Sequence, residues 1–342
     1  MVDFQESYMK RCIQLALSGQ GSVAPNPMVG CVIVYNDKII GEGFHRVFGG
    51  HHAEVEAINN VTDKSLLPHS TLYVNLEPCA HFGKTPPCSD LIISYKIPKV
   101  VIGCTDPFIE VKGKGIEKLK LAGVEVVTDV LKDEAMELNK RFFIFHQFKR
   151  PYIILKWAQS SDGFLAGASS QTKWISNNWS RTLVHKWRSE EQAIMVGTNT
   201  AMKDNPQLDV RQWIGKNPKR IVIDRQLKLP NHLYLFDQKI ETLVFTEIKK
   251  DSQPNIEFIT IDFEQLHQEI NDELFARQVQ SLIVEGGAQL LNSYISNNVW
   301  DEARVFTAPH FLTNGIEAPK ISGVIDKQIY IDNDRLTIIK NR

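Results

Sequence analysis

The sequence predicts two α/β domains in tandem, on three observations. The chain has 342 residues, about twice the ~150 of an ordinary domain. Short apolar runs alternate with segments whose apolar residues recur every three or four positions, the pattern of layered strand-and-helix folds. That alternation stops at Lys149-Arg150-Pro151 and then restarts, which predicts domains over 1–148 and 149–342.

In the first domain, Phe4, Tyr8, Cys12, Ile13 and Ala16 fall on one helical face, and Gly19 and Gly21 follow as a stop signal. Ala24-Pro25-Asn26-Pro27 is a rigid turn. Strands are expected over 29–35 and 39–44, joined through Asn36-Asp37. A short helix begins at His52 and Glu54, a strand covers 71–76, and a helix opened by Cys88 covers 91–95. A helix around 115–121 separates strands at 100–104 and 124–127, and a last helix spans 133–148. In the second domain, strands are expected at 152–157, 193–196, 220–223, 242–245 and 281–285. Helices are expected at 178–188, 263–277 and from Gly286-Gly287 through Leu291. Residues 314–342 show no pattern that assigns them.

Composition narrows the function classes. Hydrophobic residues at 43% and charged residues at 23% describe a globular chain. A formal net charge of -1 supplies no field for nucleic acid or an anionic membrane. Met1 to Arg11 carries acidic residues and no apolar core, and no apolar run is long enough to span a bilayer, so a cytoplasmic protein is expected. Cys12, Cys31 and Cys104 sit in apolar patterns as core residues do.

The remaining cysteines carry the chemistry. Cys79 and Cys88 lie in the Pro- and Gly-rich stretch LEPCAHFGKTPPCSD, and His52-Ala53-Glu54 lies upstream. One imidazole and two thiolates form a three-ligand set for Zn²⁺ that leaves a fourth position for water, and Glu54 can shuttle that water's proton. A structural zinc is normally closed by four protein ligands. The position of Cys88 at a helix start favours its thiolate. His51 lacks the H-x-E register and is read as a neighbour, while His45 and His81 each either line the pocket or are polar loop residues.

Signals in the second domain are softer. Ser281 to Glu285 followed by Gly286-Gly287 and a helix from Ala288 suits an anion such as a cofactor diphosphate, but an ordinary strand-to-helix turn satisfies the same pattern. Arg188 and Arg211 either clamp a sugar phosphate or are solvated surface residues. Lys156 lies inside an apolar strand, where a lysine is costly unless paired or functional.

The H-x-E and Pro-Cys…Cys pattern resembles that of the zinc nucleobase deaminases, whose usual spacing is C-x-x-C. Here eight residues separate Cys79 from Cys88. The segment CAHFGKTPPC, with Asn26-Pro27, Val29-Gly30 and Gly43-x-His45, closely resembles the bifunctional riboflavin-biosynthesis deaminase/reductases. Lys156 to Gly163, Trp174-Ile175, Val196 to Thr200, Asp204-Asn205-Pro206 and Val284 to Gly287 are similar to the reductase half of that family. The likeness runs along nearly the whole chain in one order.

The resemblance implies a three-layer α/β/α cytidine-deaminase-like domain followed by a dihydrofolate-reductase-like α/β domain, with Zn²⁺ and NADPH as cofactors. It implies a small phosphorylated pyrimidine as substrate; the near-neutral charge argues against a nucleic-acid or membrane partner, and a homo-oligomer is expected. Glu54 and Lys156 would be catalytic, and His52, Cys79 and Cys88 would hold the metal. Ala158, Trp174, Thr200, Asp204, Gly286, Gly287 and Ala288 would meet the cofactor, and Asn26, Thr172, Arg188, Leu208, Arg211 and Glu285 the substrate. The alternative is a single-function nucleotide or tRNA deaminase with a C-terminal ligand-binding module.

Overall fold

The computed structural model describes residues 4–80, 86–106, 113–167 and 175–342. The chain divides into two compact units, Met1–Phe148 and Lys149–Arg342.

The first unit contains α1 (Phe4–Leu17), β1 (Gly30–Tyr35), β2 (Lys38–Phe44), α2 (Ala53–Asn60), β3 (Thr71–Leu76), α3 (Cys88–Ser94), β4 (Lys99–Cys104), α4 (Lys114–Leu121), β5 (Glu125–Val127), α5 (Lys132–Leu138) and α6 (Lys140–Phe148). Its sheet has the order β2-β1-β3-β4-β5, with β1 antiparallel to both neighbours and β3, β4 and β5 parallel. Asn36 and Asp37 take φ of 47° and 59°, the backbone that a tight hairpin between twisted strands requires. Strand alternation then sorts the core into two faces. Cys31, Ile33, Leu72, Val74, Val100 and Ile102 pack with buried residues of α2, α3 and α4. Val32, Val34, Tyr73 and Val101 pack on Met9 and Cys12 of α1. Each of the large apolar side chains gains about 1.5–3 kcal/mol on burial, so a one-residue slip would lose most of that and the register is firmly set.

The single helix expected over 133–148 is two helices, broken at Asn139. The ladder tightens there, the Asn139 N–H bonding the Met136 carbonyl three residues back at 3.1 Å, while its side chain accepts the Met28 N–H at 2.8 Å and donates to the Met28 carbonyl at 2.9 Å. Asn75 on β3 accepts from Gly30 N at 2.7 Å and donates to the same Met28 carbonyl at 3.0 Å. These two buried amides tie down the turn that carries Asn26.

The second unit contains β6 (Tyr152–Gln159), β7 (Phe164–Gly167), α7 (Asn178–Glu190), β8 (Ala193–Gly197), α8 (Thr198–Asp204), β9 (Lys219–Ile223), β10 (Thr242–Thr246), β11 (Ile256–Thr260), α9 (Leu266–Ala276), β12 (Ser281–Glu285), α10 (Ala288–Ser296), β13 (Glu302–Thr307), β14 (Gly315–Glu317), β15 (Val324–Ile331) and β16 (Asp334–Lys340). Its main sheet has the order β11-β10-β9-β8-β12-β6-β13-β16-β15. Strands from β11 to β13 in that order are parallel, and β16 and β15 are antiparallel additions. One face is covered by buried residues of α9 and α10. On the other face Trp187 of α7 packs on Phe306, ring centroids 5.5 Å apart. Parallel strands covered on both sides read as continuous apolar runs, which is why β6, β8, β9, β10 and β12 are recognisable in the sequence.

Six strands and one helix are not. β13 hides because its buried Glu302 and Arg304 break the apolar run; Arg304 Nε donates to Glu302 at 2.6 Å and Tyr152 Oη to the same carboxylate at 3.0 Å. The unassigned C-terminal stretch supplies β14 and the β15–β16 hairpin. β15 is an edge strand with Val324, Ile325 and Tyr330 all exposed, so it has no inside-outside alternation to detect. The helix expected over 263–277 begins as a tighter turn at Phe263–Gln265 before α9. No helix among the described residues is long and apolar enough to cross a membrane.

Candidate active sites

In the first unit, His52 caps α2, Glu54 lies in its first turn, Cys79 follows β3, and Cys88 is the first residue of α3. Three element ends therefore deliver the donors. His52 Nδ1 lies 3.2 Å from Cys88 Sγ and 3.7 Å from Cys79 Sγ, and all three ligand atoms lie within 4.8 Å of one another. Tetrahedral zinc with nitrogen and sulfur ligands needs separations of roughly 3.5–4 Å, so the donor set fits the ion. Among the described residues no fourth His, Cys or carboxylate joins the group.

Charge within the group is uneven. A hydrogen bond from Cys88, outweighing burial, together with the His52 ring brings the Cys79 thiol down to about 4, and the Cys88 backbone N–H also donates to its sulfur at 3.3 Å. Cys88 is pushed well above the ordinary thiol range by Cys79, by burial and by the nearby Glu54 carboxylate. The neighbouring anion acts on Cys88 at closer range than the start of the seven-residue α3. His52 is raised by its hydrogen bond with Cys79. Burial raises Glu54, which is 3% exposed, the environment of a carboxyl that both takes and returns a proton.

Two further features of this site, Glu77 and Gly115, escaped sequence reading, and His45, left open there, acquires its partners. Glu77 immediately precedes the metal-ligand loop and accepts four backbone N–H groups, from Asp106, Gly113, Gly115 and Ile116, at 3.3, 3.0, 2.9 and 3.3 Å. It satisfies otherwise unpaired donors at the start of α4. A side chain at Gly115 would meet the Pro78 carbonyl at 2.0 Å, so only glycine lets α4 come this close. His45 is buried, with Nδ1 2.8 Å from the His51 carbonyl and Nε2 3.0 Å from the Asn26 amide nitrogen. His51 itself is exposed and 3.7 Å from Glu56, apart from the ligands. Only the Glu-Pro-Cys sequence hinted at Glu77, and His81 lies outside the described residues.

In the second unit, β6 places Lys156 opposite Glu285 of β12 and Arg304 of β13. Lys156 Nζ lies 3.8 Å from Glu285 Oε2, and Arg188 Nη2 donates to the same oxygen at 3.0 Å. Burial lowers Lys156, against the pull of Glu285. Burial alone would raise Glu285, but Arg188 and Lys156 hold it below the usual carboxylate range. Arg188 Nη1 donates to the Asp209 carbonyl at 3.2 Å, so much of its fork is already engaged. Glu285 Oε1 and Arg188 Nε are buried without a partner among the described residues. His185, one turn before Arg188 and not singled out from the sequence, also lies 2.9 Å from the Asp209 carbonyl. Its only sequence signal is a polar residue on the apolar face of α7.

Gly286 and Gly287 take φ of 79° and 75°. A side chain at Gly286 would lie 2.9 Å from Thr200 Cγ2, and one at Gly287 3.1 Å from Thr200 Oγ1. Thr200 thus packs closely on the glycine turn before Ala288, forming a backbone cradle at the carboxyl ends of the adjacent strands β8 and β12, where parallel sheets bind phosphorylated cofactors. Asp204 ends α8, and Ala158 lies on β6 opposite Phe306. Leu208 is buried with φ 51°. Arg211 is exposed and pairs with the Asp209 carboxylate. Thr172 and Trp174 lie outside the described residues.

Residues 2–104 match the family described as the cytidine and deoxycytidylate deaminase zinc-binding region, and residues 151–325 match the RibD C-terminal domain. The riboflavin biosynthesis protein RibD of Aquifex aeolicus is 39% identical over 92% of this chain and 89% of that protein. RibD of Actinobacillus pleuropneumoniae is 41% identical over 88% of this chain and 83% of its own. Among solved structures, the diaminohydroxyphosphoribosylaminopyrimidine deaminase/5-amino-6-(5-phosphoribosylamino)uracil reductase of Thermotoga maritima superposes with a TM-score of 0.92 at 35% identity, covering 99% of each chain. RibD of Acinetobacter baumannii superposes with a TM-score of 0.91 at 33% identity over 100% of both chains.

Proposed function

The chain belongs to the RibD family of bifunctional riboflavin-biosynthesis enzymes, with a zinc-binding deaminase domain and a reductase domain, and from that premise we propose which residues perform each reaction. His52, Cys79 and Cys88 hold the zinc, and the first unit deaminates a diaminopyrimidinone ribosylamino phosphate. The second unit then reduces the ribosyl group to ribityl. The observation that carries this reading is the convergence of exactly this one nitrogen and two sulfurs beside a buried carboxylate.

Zinc, when bound, acts as a Lewis acid and brings a water molecule's pKa to about 7. Glu54 takes the proton that water loses as its oxygen joins the amino-bearing ring carbon. It returns a proton to the departing nitrogen, so water is consumed, a carbonyl forms and ammonia leaves. Asn26 holds the ring. The second unit's cradle at Thr200, Gly286 and Gly287 accepts the cofactor, and NADPH supplies the hydride that reduces C1 of the ring-opened sugar imine. Lys156 and Glu285 orient the ligand and manage the proton that the imine nitrogen gains. Glu285 Oε1 and Arg188 Nε, buried without a partner among the described residues, are the atoms assigned to the substrate. Five unpaired cysteines suit a reducing compartment, and we place the reaction in the cytoplasm.

The test is to incubate the protein with the diaminopyrimidinone phosphate, with and without NADPH, following ammonia, cofactor absorbance and product mass. Ammonia is expected without NADPH, and cofactor oxidation only after deamination. Oxidation of NADPH before any ammonia appears would reverse the proposed order. Salt-sensitive tight binding of tRNA would favour a nucleic-acid deaminase instead.

A further inference from the structure

We propose that His45 is a positioning residue that turns the Asn26 carboxamide so that its oxygen faces the substrate, making the deaminase site select pyrimidines that offer an N–H at that edge. The inference rests on the proposed role of Asn26 in holding the ring. It follows from a chain of hydrogen bonds whose direction is set at one end.

His45 Nδ1 lies 2.8 Å from the His51 carbonyl oxygen. A carbonyl only accepts, so the proton must be on Nδ1. The ring is 3% exposed, and no carboxylate among the described residues pairs with it to hold a second proton. The neutral ring therefore presents Nε2 as an acceptor. Asn26 Nδ2 lies 3.0 Å from it and must be the donor. What remains of the carboxamide is Oδ1, which has no partner among the described residues and can only accept. The first anchor, His51, directly precedes the metal ligand His52. At the other end the Met28 backbone is gripped by Asn139 and Asn75. With both ends fixed, the amide cannot flip without breaking a bond. A ring N–H or an amino group finds a partner there, whereas a carbonyl would meet lone pair against lone pair.

The test is a double-mutant cycle on kcat/KM for ammonia release from the diaminopyrimidinone phosphate, using N26A, H45F, N26A/H45F and H45Q. Zinc content and NADPH oxidation on pre-deaminated substrate serve as folding controls. N26A and H45F are each expected to lose about 10–100-fold, with the double variant within about threefold of the worse single one. H45Q restores an acceptor for Asn26 and should recover most of the loss. Losses that multiply in the double variant would mean that His45 acts independently, and an H45F or N26A enzyme within about threefold of wild type would equally overturn the proposal. So would an H45Q enzyme no better than H45F. Where H45F loses zinc, H45Q with N26A/H45Q carries the same comparison. A wild-type chain that releases no ammonia removes the proposed function itself, a result distinct from any of these.

Discussion

Replacing Glu77 by Gln changes one oxygen of a buried carboxylate into an NH₂ group and leaves the shape intact. In the native chain each oxygen accepts two backbone donors, Oε1 from Gly115 and Ile116 and Oε2 from Asp106 and Gly113. Glutamine can keep one pair, and its NH₂ then points donor against donor at the other. Hydrogen bonds to a charged acceptor contribute about 1.5–3 kcal/mol each, so losing two gives roughly 3–6 kcal/mol. Gly113 is only partly buried and can turn to water, which brings the expected cost to about 3 kcal/mol. For a unit of this size each kcal/mol moves the midpoint by about 2–4 °C, so a fall of about 6–12 °C is expected. Because the two units need not unfold together, the assay is the temperature of half-inactivation of each activity in the full chain, ammonia release for one and NADPH oxidation for the other. Only the first should fall. A shift below about 2 °C, or an equal shift in both activities, would refute the view that this carboxylate locks α4 against the metal-ligand loop.

Glu54→Gln should lower kcat for ammonia release by about 10²–10⁴-fold while zinc content and NADPH oxidation on pre-deaminated substrate are unchanged; metal analysis and the two assays decide it. Gly286→Ala places a side chain at φ 79° and 2.9 Å from Thr200 Cγ2. Left-handed backbone costs a non-glycine residue about 1–2 kcal/mol; with the free turn relaxing out of that backbone and returning to it on binding, NADPH affinity should fall about tenfold. Adding Thr200→Ser should relieve the steric share and leave the backbone share, and unchanged affinity in Gly286→Ala would mean that the cofactor does not use this cradle. His185 is pulled from 6.5 down to about 4 by burial, Arg188 and Arg211. The unfolded chain then binds the proton first as pH falls, so His185's contribution is fully present above about 6.5 and is lost between there and about 4, at most about 1.4 kcal/mol per pH unit. Urea denaturation across that window should show a shallower pH dependence of the second unit in His185→Gln, and an identical slope would show that His185 titrates normally.

The amino-acid sequence alone determined the fold class and the zinc chemistry. Both are written in local terms: residues whose backbone periodicity sorts them to one face, and donor types such as His52, Cys79 and Cys88 that are costly to keep together without an ion. The parallel strands β6, β8, β9, β10 and β12 were legible because burial on both faces demands unbroken apolar runs. Only the tertiary structure decided what polar groups do at long range. The side-chain partner of Asn139 is Met28, 111 residues away. The burial of Arg304 depends on Glu302 and Glu191, the direction of the Asn26 amide on His45, and the approach of α4 on Glu77. A polar side chain carries no periodic signature of its partner, since its energy comes from satisfying one specific donor or acceptor after the chain has folded. Apolar burial is non-directional and shows along the sequence, whereas hydrogen bonds are directional and show only in three dimensions.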